Sequence, residues 1–221
     1  MAQSDPRSSD VRSAYDTVAD SYARILADTS YEAPLDLALV DEFARQTGDG
    51  ARILDAGCGA GRMITYLDGI GRFDIEGADL SPAMIARARH EHPGRRFHTA
   101  ALTDLPFAEG SLDGVLCWYS IIHTPTAEIP EILREIRRIL RPGGSALLAF
   151  QAGTGVRRIE HAYGHDVALT AYLHDDLAVI AAMEAAGYVI EARLLRGPRT
   201  TESHSQGFVL ARSSAAGGDS H

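Results

Sequence analysis

The sequence predicts an α/β fold: one doubly wound domain in which helices cover both faces of a mostly parallel sheet. Short apolar runs of strand length alternate with longer segments of helical periodicity, an order that is typical of parallel sheets. One of these runs leads through a glycine-rich turn into a helix, around residues 53–61. The length of 221 residues is enough for one such domain with its own core.

Two helices are predicted before the first strand. Apolar side chains recur at helical spacing over residues 10–27, and a second helix starts near Pro34 and carries Leu35 and Phe43. The first ten residues are polar, and we expect them to be frayed. We place the boundary between these N-terminal helices and the sheet-bearing domain after residue 48.

Strands and helices alternate over the domain that follows, residues 49–212. Ser81 and Pro82 mark a helix start, because a hydroxyl cap precedes a proline at the first helical position. Residues 127–140 form an amphipathic helix that Pro142-Gly143-Gly144 ends, and further helices are expected over 60–68 and 175–186. Strands are predicted from their apolar runs over residues 52–56, 74–79, 96–99, 114–118, 145–150, 189–195 and 208–212. Residues 213–221 are small and polar, and we expect a disordered tail.

The composition argues against several classes of protein. A net charge of −9 disfavours a nucleic-acid-binding surface, which is usually basic. The chain starts without the basic and apolar regions of a secretory signal, and no apolar stretch approaches the roughly 18 residues of a membrane span. Cys58 and Cys117 lack the C-x-x-C spacing of a zinc site. We therefore expect a reduced, cytoplasmic protein without a metal, as a monomer or a homodimer.

The turn after the first strand has the composition of a cofactor-binding loop. Residues 53–61 are Ile-Leu-Asp-Ala-Gly-Cys-Gly-Ala-Gly. Glycine allows unusual backbone angles and lets bare backbone approach a polar ligand. The third glycine comes one residue earlier than in the dinucleotide-binding pattern, and Asp55 would repel a pyrophosphate. An acid there suits a cationic ligand, and S-adenosylmethionine carries both an ammonium and a sulfonium group.

With four later landmarks, this loop resembles that of the class I S-adenosylmethionine-dependent methyltransferases, in particular the small-molecule branch with the pattern L-D-x-G-C-G-x-G. The landmarks follow in the family's order within residues 50–150: Asp79 after the second strand, Leu105-Pro106-Phe107, the run 112–119, and Leu140-Arg141-Pro142-Gly143-Gly144. The resemblance implies a Rossmann-like fold with seven strands, the last two forming an antiparallel hairpin at the sheet edge. It also implies that the helices of residues 1–48 form a lid.

The resemblance places a cofactor site at the carboxyl ends of the strands, where doubly wound sheets bind ligands. Asp79 would accept hydrogen bonds from both ribose hydroxyls, or else would only cap the helix that follows. Asp55 would hold the glycine loop and the methionine ammonium. Arg62 would pair with the cofactor carboxylate or remain a solvated helix arginine. The candidate cofactor-binding residues are Tyr22, Asp55, Gly57, Cys58, Gly59, Arg62, Asp79, Leu80, Met84, Leu102, Thr103 and Trp118.

One landmark departs from the family's pattern. Many relatives have G-D-A-x-x-L-P-F, in which the aspartate accepts a hydrogen bond from the adenine amine. Here Ala100, Ala101 and Leu102 occupy the three leading positions, so the acid is missing. The adenine amine would then bind a backbone carbonyl, a water or Thr103, while the backbone N–H of Leu102 would still donate to the ring.

Tyrosine and histidine side chains supply the candidates for substrate binding and catalysis. Tyr15 and Tyr22 lie seven apart on one helix, so they either pack in the core or belong to a lid over cofactor and substrate. His123, in the loop that borders the substrate in similar folds, is the first candidate for a catalytic base, with a purely structural role as its alternative. His165 is the second candidate. Substrate contacts are predicted for Tyr15, Tyr119, His123 and His161.

The implied activity is transfer of a methyl group from S-adenosylmethionine to an oxygen or nitrogen of a small-molecule metabolite. Carbon methylation and a non-catalytic cofactor-binding domain are the alternatives. A nicotinamide-dependent oxidoreductase is a further rival, which the glycine spacing disfavours. Because no large recognition domain is inserted, the N-terminal helices, the loop after the fourth strand and residues 151–174 would form the substrate pocket.

Overall fold

The structure, a computed structural model, describes residues 6–214 of the chain. Its helices are α1 (Pro6–Ile25), α2 (Pro34–Thr47), α3 (Arg62–Ile70), α4 (Pro82–Glu91), α5 (Ile129–Ile139) and α6 (Asp176–Ala185). Its strands are β1 (Arg52–Ala56), β2 (Asp74–Asp79), β3 (Arg96–Thr99), β4 (Leu112–Trp118), β5 (Leu140–Ala152), β6 (Val156–Ala162), β7 (His165–Tyr172), β8 (Tyr188–Arg196) and β9 (Ser205–Ser213). Within residues 6–214, no helix combines the length and the apolar character that crossing a membrane requires.

Seven strands form one sheet, in the order β3-β2-β1-β4-β5-β9-β8. The first five strands of the chain run parallel to one another. β9 pairs antiparallel with both β5 and β8, so β8 is the edge strand. The predicted α/β class, the mostly parallel seven-stranded sheet and its antiparallel C-terminal hairpin are therefore confirmed.

Apolar side chains fill both faces of this sheet, as the doubly wound prediction requires. Phe43, Ile64 and Ile85, from α2, α3 and α4, are almost fully buried on one face. Leu133 and Met183, from α5 and α6, are fully buried on the other. The two helical layers hold the sheet rigidly and leave its strand ends free to carry a site.

The strand register brings three carboxyl ends to one edge of the sheet. Asp55 of β1 pairs with Gly77 of β2 and with Leu116 of β4. The glycine turn after β1, the end of β2 and the loop after β4 therefore meet, which is where ligands bind in open parallel sheets.

The predicted bounds of β1, β2 and β3 match those of the structure, and other elements differ by a few residues. α1 begins at Pro6, so part of the segment expected to fray is helical, and residues 1–5 lie outside the described part. β5 begins early because Leu140 pairs with Leu112, and regular pairing resumes at Ser145 after an irregularity in the register. Ser213 ends β9, and the rest of the predicted tail from residue 215 lies outside the described residues.

The sequence did not predict the second sheet, a hairpin formed by β6 and β7. In β6, exposed and partly buried positions alternate. Arginine, glutamate and histidine occupy most of these positions, so no clear apolar face results. The strand therefore lacks the usual hydrophobic signal. Tyr163 and Gly164 form the tip, with φ of +53° and +84°, the left-handed angles that a tight two-residue hairpin uses.

Candidate active site

A cavity of about 550 Å³ opens where the carboxyl ends of β1, β2 and β4 meet. α1 lies over it, and the tip of the β6–β7 hairpin reaches its wall through Tyr163. The volume falls in the range of small-molecule sites. The predicted site residues that line it are Tyr15, Tyr22, Gly57, Gly59, Arg62, Asp79, Leu80, Leu102, Thr103, Trp118, Tyr119 and His123.

The glycine turn presents bare backbone to this cavity. Gly57 and Gly59 have φ of +80° and +51°, which favour glycine. A Cβ at Gly57 would lie 2.3 Å from Cβ and Oγ of Ser120, and one at Gly59 would lie 3.2 Å from the Tyr22 ring. Ser120 in turn donates a 2.6 Å hydrogen bond to the carbonyl of Ala56. The loop after β4 therefore rests directly on the glycine turn, which leaves no room for side chains.

Asp79 organises the loops on both sides of it. One carboxylate oxygen accepts a 2.9 Å hydrogen bond from the N–H of Gly59, and the other accepts one of 2.9 Å from the N–H of Ser81. Burial raises the pKa of Asp79, although these N–H donors favour its charged form. A carboxylate has about four acceptor positions, so two remain for ligand hydroxyls. The predicted helix cap and the predicted ribose contact are compatible.

Asp55 is buried beneath the glycine turn, and it does not line the cavity. Its Oδ2 has no hydrogen-bond partner. Burial raises the pKa of Asp55 from 3.8 to about 7; the Arg62 cation opposes this rise and the Asp79 charge adds to it. A group of the opposite charge near Asp55 would therefore be strongly favoured.

We expect Asp55→Asn to stabilise the ligand-free protein, and by more at pH 8 than at pH 5. Because the folded pKa is raised, the wild type loses free energy of unfolding as the pH rises from about 4 to 7, and the amide does not ionise. Because the folded pKa lies about two units above pH 5, the difference between pH 5 and pH 8 is about 2–3 kcal/mol at most. Urea unfolding at the two pH values measures the difference. Asp113→Asn is the control: the pKa of Asp113 is lowered, so its contribution changes only at lower pH.

Arg62 is not a solvated helix arginine. It forms a buried ion pair with Glu32, and the two side chains are only 12% and 8% exposed. The same Glu32 oxygen accepts a 2.9 Å hydrogen bond from Nε1 of Trp118. Charge and hydrogen bonding by Arg62 favour the ionised form of Tyr22, although burial still raises the pKa of that phenol. One wall of the cavity thus presents a compensated acid–base pair that can meet both charges of an amino acid group.

Tyrosine rings from α1 and the hairpin pack together over the cavity. Tyr22 lies between Tyr15 and Tyr163, at ring-centroid distances of 6.2 and 5.0 Å, with both contacts edge to face. Asp16 fixes α1 to the start of α4, because its carboxylate accepts hydrogen bonds from Oγ of Ser81 and the N–H of Ala83. The core packing and lid roles considered for Tyr15 and Tyr22 are therefore not exclusive.

His123 lines the cavity with both ring nitrogens engaged. Its Nδ1 lies 2.7 Å from the carbonyl oxygen of Thr170, and its Nε2 lies 2.9 Å from the hydroxyl of Tyr15. Burial lowers the pKa of His123, so the ring is neutral near pH 7. Tyr119, just before this loop, has a φ of +59°, an uncommon angle outside glycine that is often found at functional sites.

Four other predicted site residues lie away from the cavity wall. Cys58 is buried behind the glycine turn, and Met84 is buried against α1. His161 is exposed on the hairpin beside Asp166, and His165 starts β7 without facing the cavity. The hairpin turn explains these positions, because it directs Tyr163 to the cavity wall and leaves the two histidines on either side of it away from the wall. His165 is therefore not positioned to act as a base on a ligand in this cavity.

Several residues at the wall were not among the predicted site residues. Two of them, Glu32 and Ser120, contact residues that lie 30 to 86 positions away in the chain. A third, Tyr163, packs against the ring of Tyr22. Ala101, which stands where many relatives have the acid, and its neighbour Ala100 also line the cavity. Of these, only the tyrosine between two histidines carried any signal in the sequence. Among residues 6–214, no group of three or more His, Cys, Asp or Glu side chains is arranged to hold a metal ion.

Residues 53–144 match the family model described as a methyltransferase domain. A malonyl-[acyl-carrier protein] O-methyltransferase from Pectobacterium atrosepticum is 32% identical over 52% of this chain and 44% of its own length. An O-methyltransferase, cnsE, from Penicillium expansum is 29% identical over 66% of this chain and 59% of its own length. The chain thus spans about half the length of these curated relatives.

Solved structures share the fold over nearly the whole chain. The 1,6-didemethyltoxoflavin-N1-methyltransferase of Burkholderia thailandensis covers 97% of this chain and 92% of its own, with a TM-score of 0.72 and 20% identity. The [4+2]-cyclase SpnF covers 95% of this chain and 97% of its own, with a TM-score of 0.71 and 18% identity. In its domain match, in its curated relatives and in its fold, the chain is therefore similar to methyltransferases.

Proposed function

We propose that the protein transfers the methyl group of S-adenosylmethionine to an oxygen or nitrogen of a small molecule. The observation that carries this proposal is Asp79, which lies at the cavity wall with two acceptor positions left after it has bound the loops on either side. A vicinal diol matches two acceptor positions on one carboxylate, as in dinucleotide sites. Gly57 and Gly59 line the cavity beside it and present backbone rather than side chains to the rest of the cofactor.

The remaining groups of the cofactor have partners of the right chemistry. Glu32 suits the ammonium of the methionine group, and Arg62 suits its carboxylate. Asp55, with an unpartnered oxygen behind the loop, adds negative charge on the same side. Leu102 and Thr103 line the wall beyond Asp79, where they would border the adenine. The residues present therefore fit S-adenosylmethionine.

When bound, S-adenosylmethionine supplies an electrophilic methyl group that needs only an aligned nucleophile. The protein's part is to align the acceptor and to exclude water. α1, with the tyrosine cluster of Tyr15, Tyr22 and Tyr163, covers the cavity and serves the second task. Two curated relatives are O-methyltransferases by name, which favours oxygen as the atom methylated.

A fold of this kind also carries other chemistry, since SpnF is a [4+2]-cyclase. Calorimetry with S-adenosylmethionine and with NAD is the first test, and we expect binding of the former alone. Transfer of a radiolabelled methyl group to a panel of phenols, carboxylic acids and amines is the second. Binding without transfer to any acceptor would favour a non-catalytic domain, and carbon-linked label would favour C-methylation.

We also propose that residues 1–48 act as a lid on the domain of residues 49–212. We expect amide hydrogen exchange in α1 to slow when S-adenosylhomocysteine binds, because Tyr22 lies against Gly59 and would be held by the ligand. Exchange in α6, which lies on a buried face away from the cavity, should not change. Equal exchange in α1 with and without ligand would contradict the lid. We also propose that the protein is cytoplasmic and is a monomer or a homodimer, as the sequence predicts.

A further inference from the structure

The contact between Tyr15 and His123 has a defined direction. A carbonyl oxygen only accepts, so the 2.7 Å contact between Thr170 and Nδ1 of His123 places a proton on Nδ1. In the neutral ring, Nε2 then carries a lone pair. Tyr15 donates its hydroxyl proton to that lone pair over 2.9 Å. The hydrogen bonds therefore run from phenol to imidazole to backbone carbonyl, with each donor satisfied.

This arrangement separates Tyr15 from the other tyrosine of α1 at the cavity. Tyr22 hydrogen-bonds to a cation, Arg62, which cannot take its proton. Tyr15 meets a neutral imidazole whose second nitrogen is already bonded to an acceptor, so a positive charge on that ring would be stabilised by the Thr170 carbonyl. Only Tyr15 of these two can pass its proton on.

The surroundings keep the pair neutral until a ligand arrives. Burial raises the pKa of Tyr15, and the groups that add to this are Tyr163 from the hairpin, Tyr22 and Asp79. Burial lowers the pKa of His123, with Arg157 of β6 adding to it, while the Thr170 hydrogen bond opposes it. Both side chains line the cavity and are partly buried.

We propose that Tyr15 is the catalytic residue that takes the acceptor's proton and that His123 is the base behind it. This rests on the proposed function. The acceptor's O–H or N–H bond breaks as its proton goes to Oη of Tyr15, and the Tyr15 proton moves to Nε2 of His123. The acceptor's lone pair forms the new bond to the methyl carbon, and the carbon–sulfur pair stays on sulfur. His123 ends as an imidazolium and returns its proton to solvent.

The proposal selects a class of acceptor. A relay of this kind contributes only when the nucleophile must lose a proton, as a phenol or another weakly acidic hydroxyl must. An acceptor that is already an anion gains nothing from it. The geometry therefore favours hydroxyl acceptors, and phenols above all, since the Tyr22 ring packs against Tyr15 at the same wall and both rings can contact an aromatic acceptor.

The test uses 4-nitrophenol as a probe on the full chain loaded with S-adenosylhomocysteine. Its phenolate absorbs at longer wavelength than its phenol, so the absorbance reports the proton's position. We expect the titration midpoint of the bound probe to fall by at least one pH unit relative to the free probe. Tyr15→Phe and His123→Gln should each abolish this fall. Tyr66→Phe is the control, because that phenol bonds to Asp41 on the surface, away from the cavity.

A second readout separates proton transfer from a structural role. In ¹⁵N NMR, His123 should be the neutral Nδ1–H form without the probe and an imidazolium with it, and the change should be absent in Tyr15→Phe. A bound probe that titrates at its free midpoint, or a probe that does not bind at millimolar concentration, would overturn the proposal. Calorimetry with S-adenosylhomocysteine on the wild type tests the proposed function separately. Absence of binding would overturn that function, whereas binding together with an unshifted probe midpoint would overturn only the proton relay.

Discussion

We expect Gly57→Ala to abolish detectable cofactor binding and to destabilise the fold, while Gly48→Ala leaves binding unchanged. The two glycines have nearly the same φ, +80° and +82°. A side chain costs about 1–2 kcal/mol at either position for the left-handed backbone. Only at Gly57 does the new Cβ also meet Ser120, at 2.3 Å, whereas at Gly48 nothing lies within 4 Å. Overpacking of this kind adds about 1–3 kcal/mol.

Urea unfolding and calorimetry with S-adenosylmethionine measure the two effects separately. Ser120→Gly in the Gly57→Ala background removes the atoms that clash, and it should recover part of the lost stability. It also removes the hydrogen bond to Ala56, so recovery will be incomplete. Wild-type affinity in Gly57→Ala would mean that the cofactor lies elsewhere.

Asp79→Ala is expected to weaken cofactor binding by about 1.5–3 kcal/mol, or roughly 10- to 150-fold in Kd. The carboxylate would supply both ribose contacts, and its loss also frees the N–H groups of Gly59 and Ser81. The variant should therefore lose stability too, by about 1–3 kcal/mol.

Asp113→Ala serves as the matched control for this loss. Asp113 also accepts a hydrogen bond from a backbone N–H, that of Arg52, and pairs with Arg141, but it does not line the cavity. Its removal should destabilise the fold and leave Kd unchanged. Equal Kd values for Asp79→Ala and the wild type would remove Asp79 from the site.

The sequence predicted best what depends on neighbours in the chain. β1 to β3 are continuous short runs flanked by turn residues, so their bounds could be found from composition alone. Ser81 was identified as a helix cap by its place before Pro82, and its side chain accepts from the N–H of Met84 as a cap does. Local rules of this kind need no knowledge of the fold.

The part of the site that was missed depends on contacts distant in sequence. Glu32 lies in a loop before α2, and nothing around it indicates that it meets Arg62, 30 residues later. Tyr163 lies between two histidines, and only the turn at the hairpin tip places the tyrosine at the cavity wall and the histidines away from it. His123 was recognised as a candidate, but its partner Tyr15 is 108 residues away.

The place of β9 in the sheet governs the order in which the chain can fold during synthesis. β8 leaves the ribosome before β9, yet β9 is the strand that must lie between it and β5. Until then β8 has no partner in the sheet, and its exposed Val189 and Leu195 lie on an open edge of the kind that recruits other chains. We therefore expect a released chain truncated between residues 196 and 205 to aggregate more readily than the full chain and to need a chaperone.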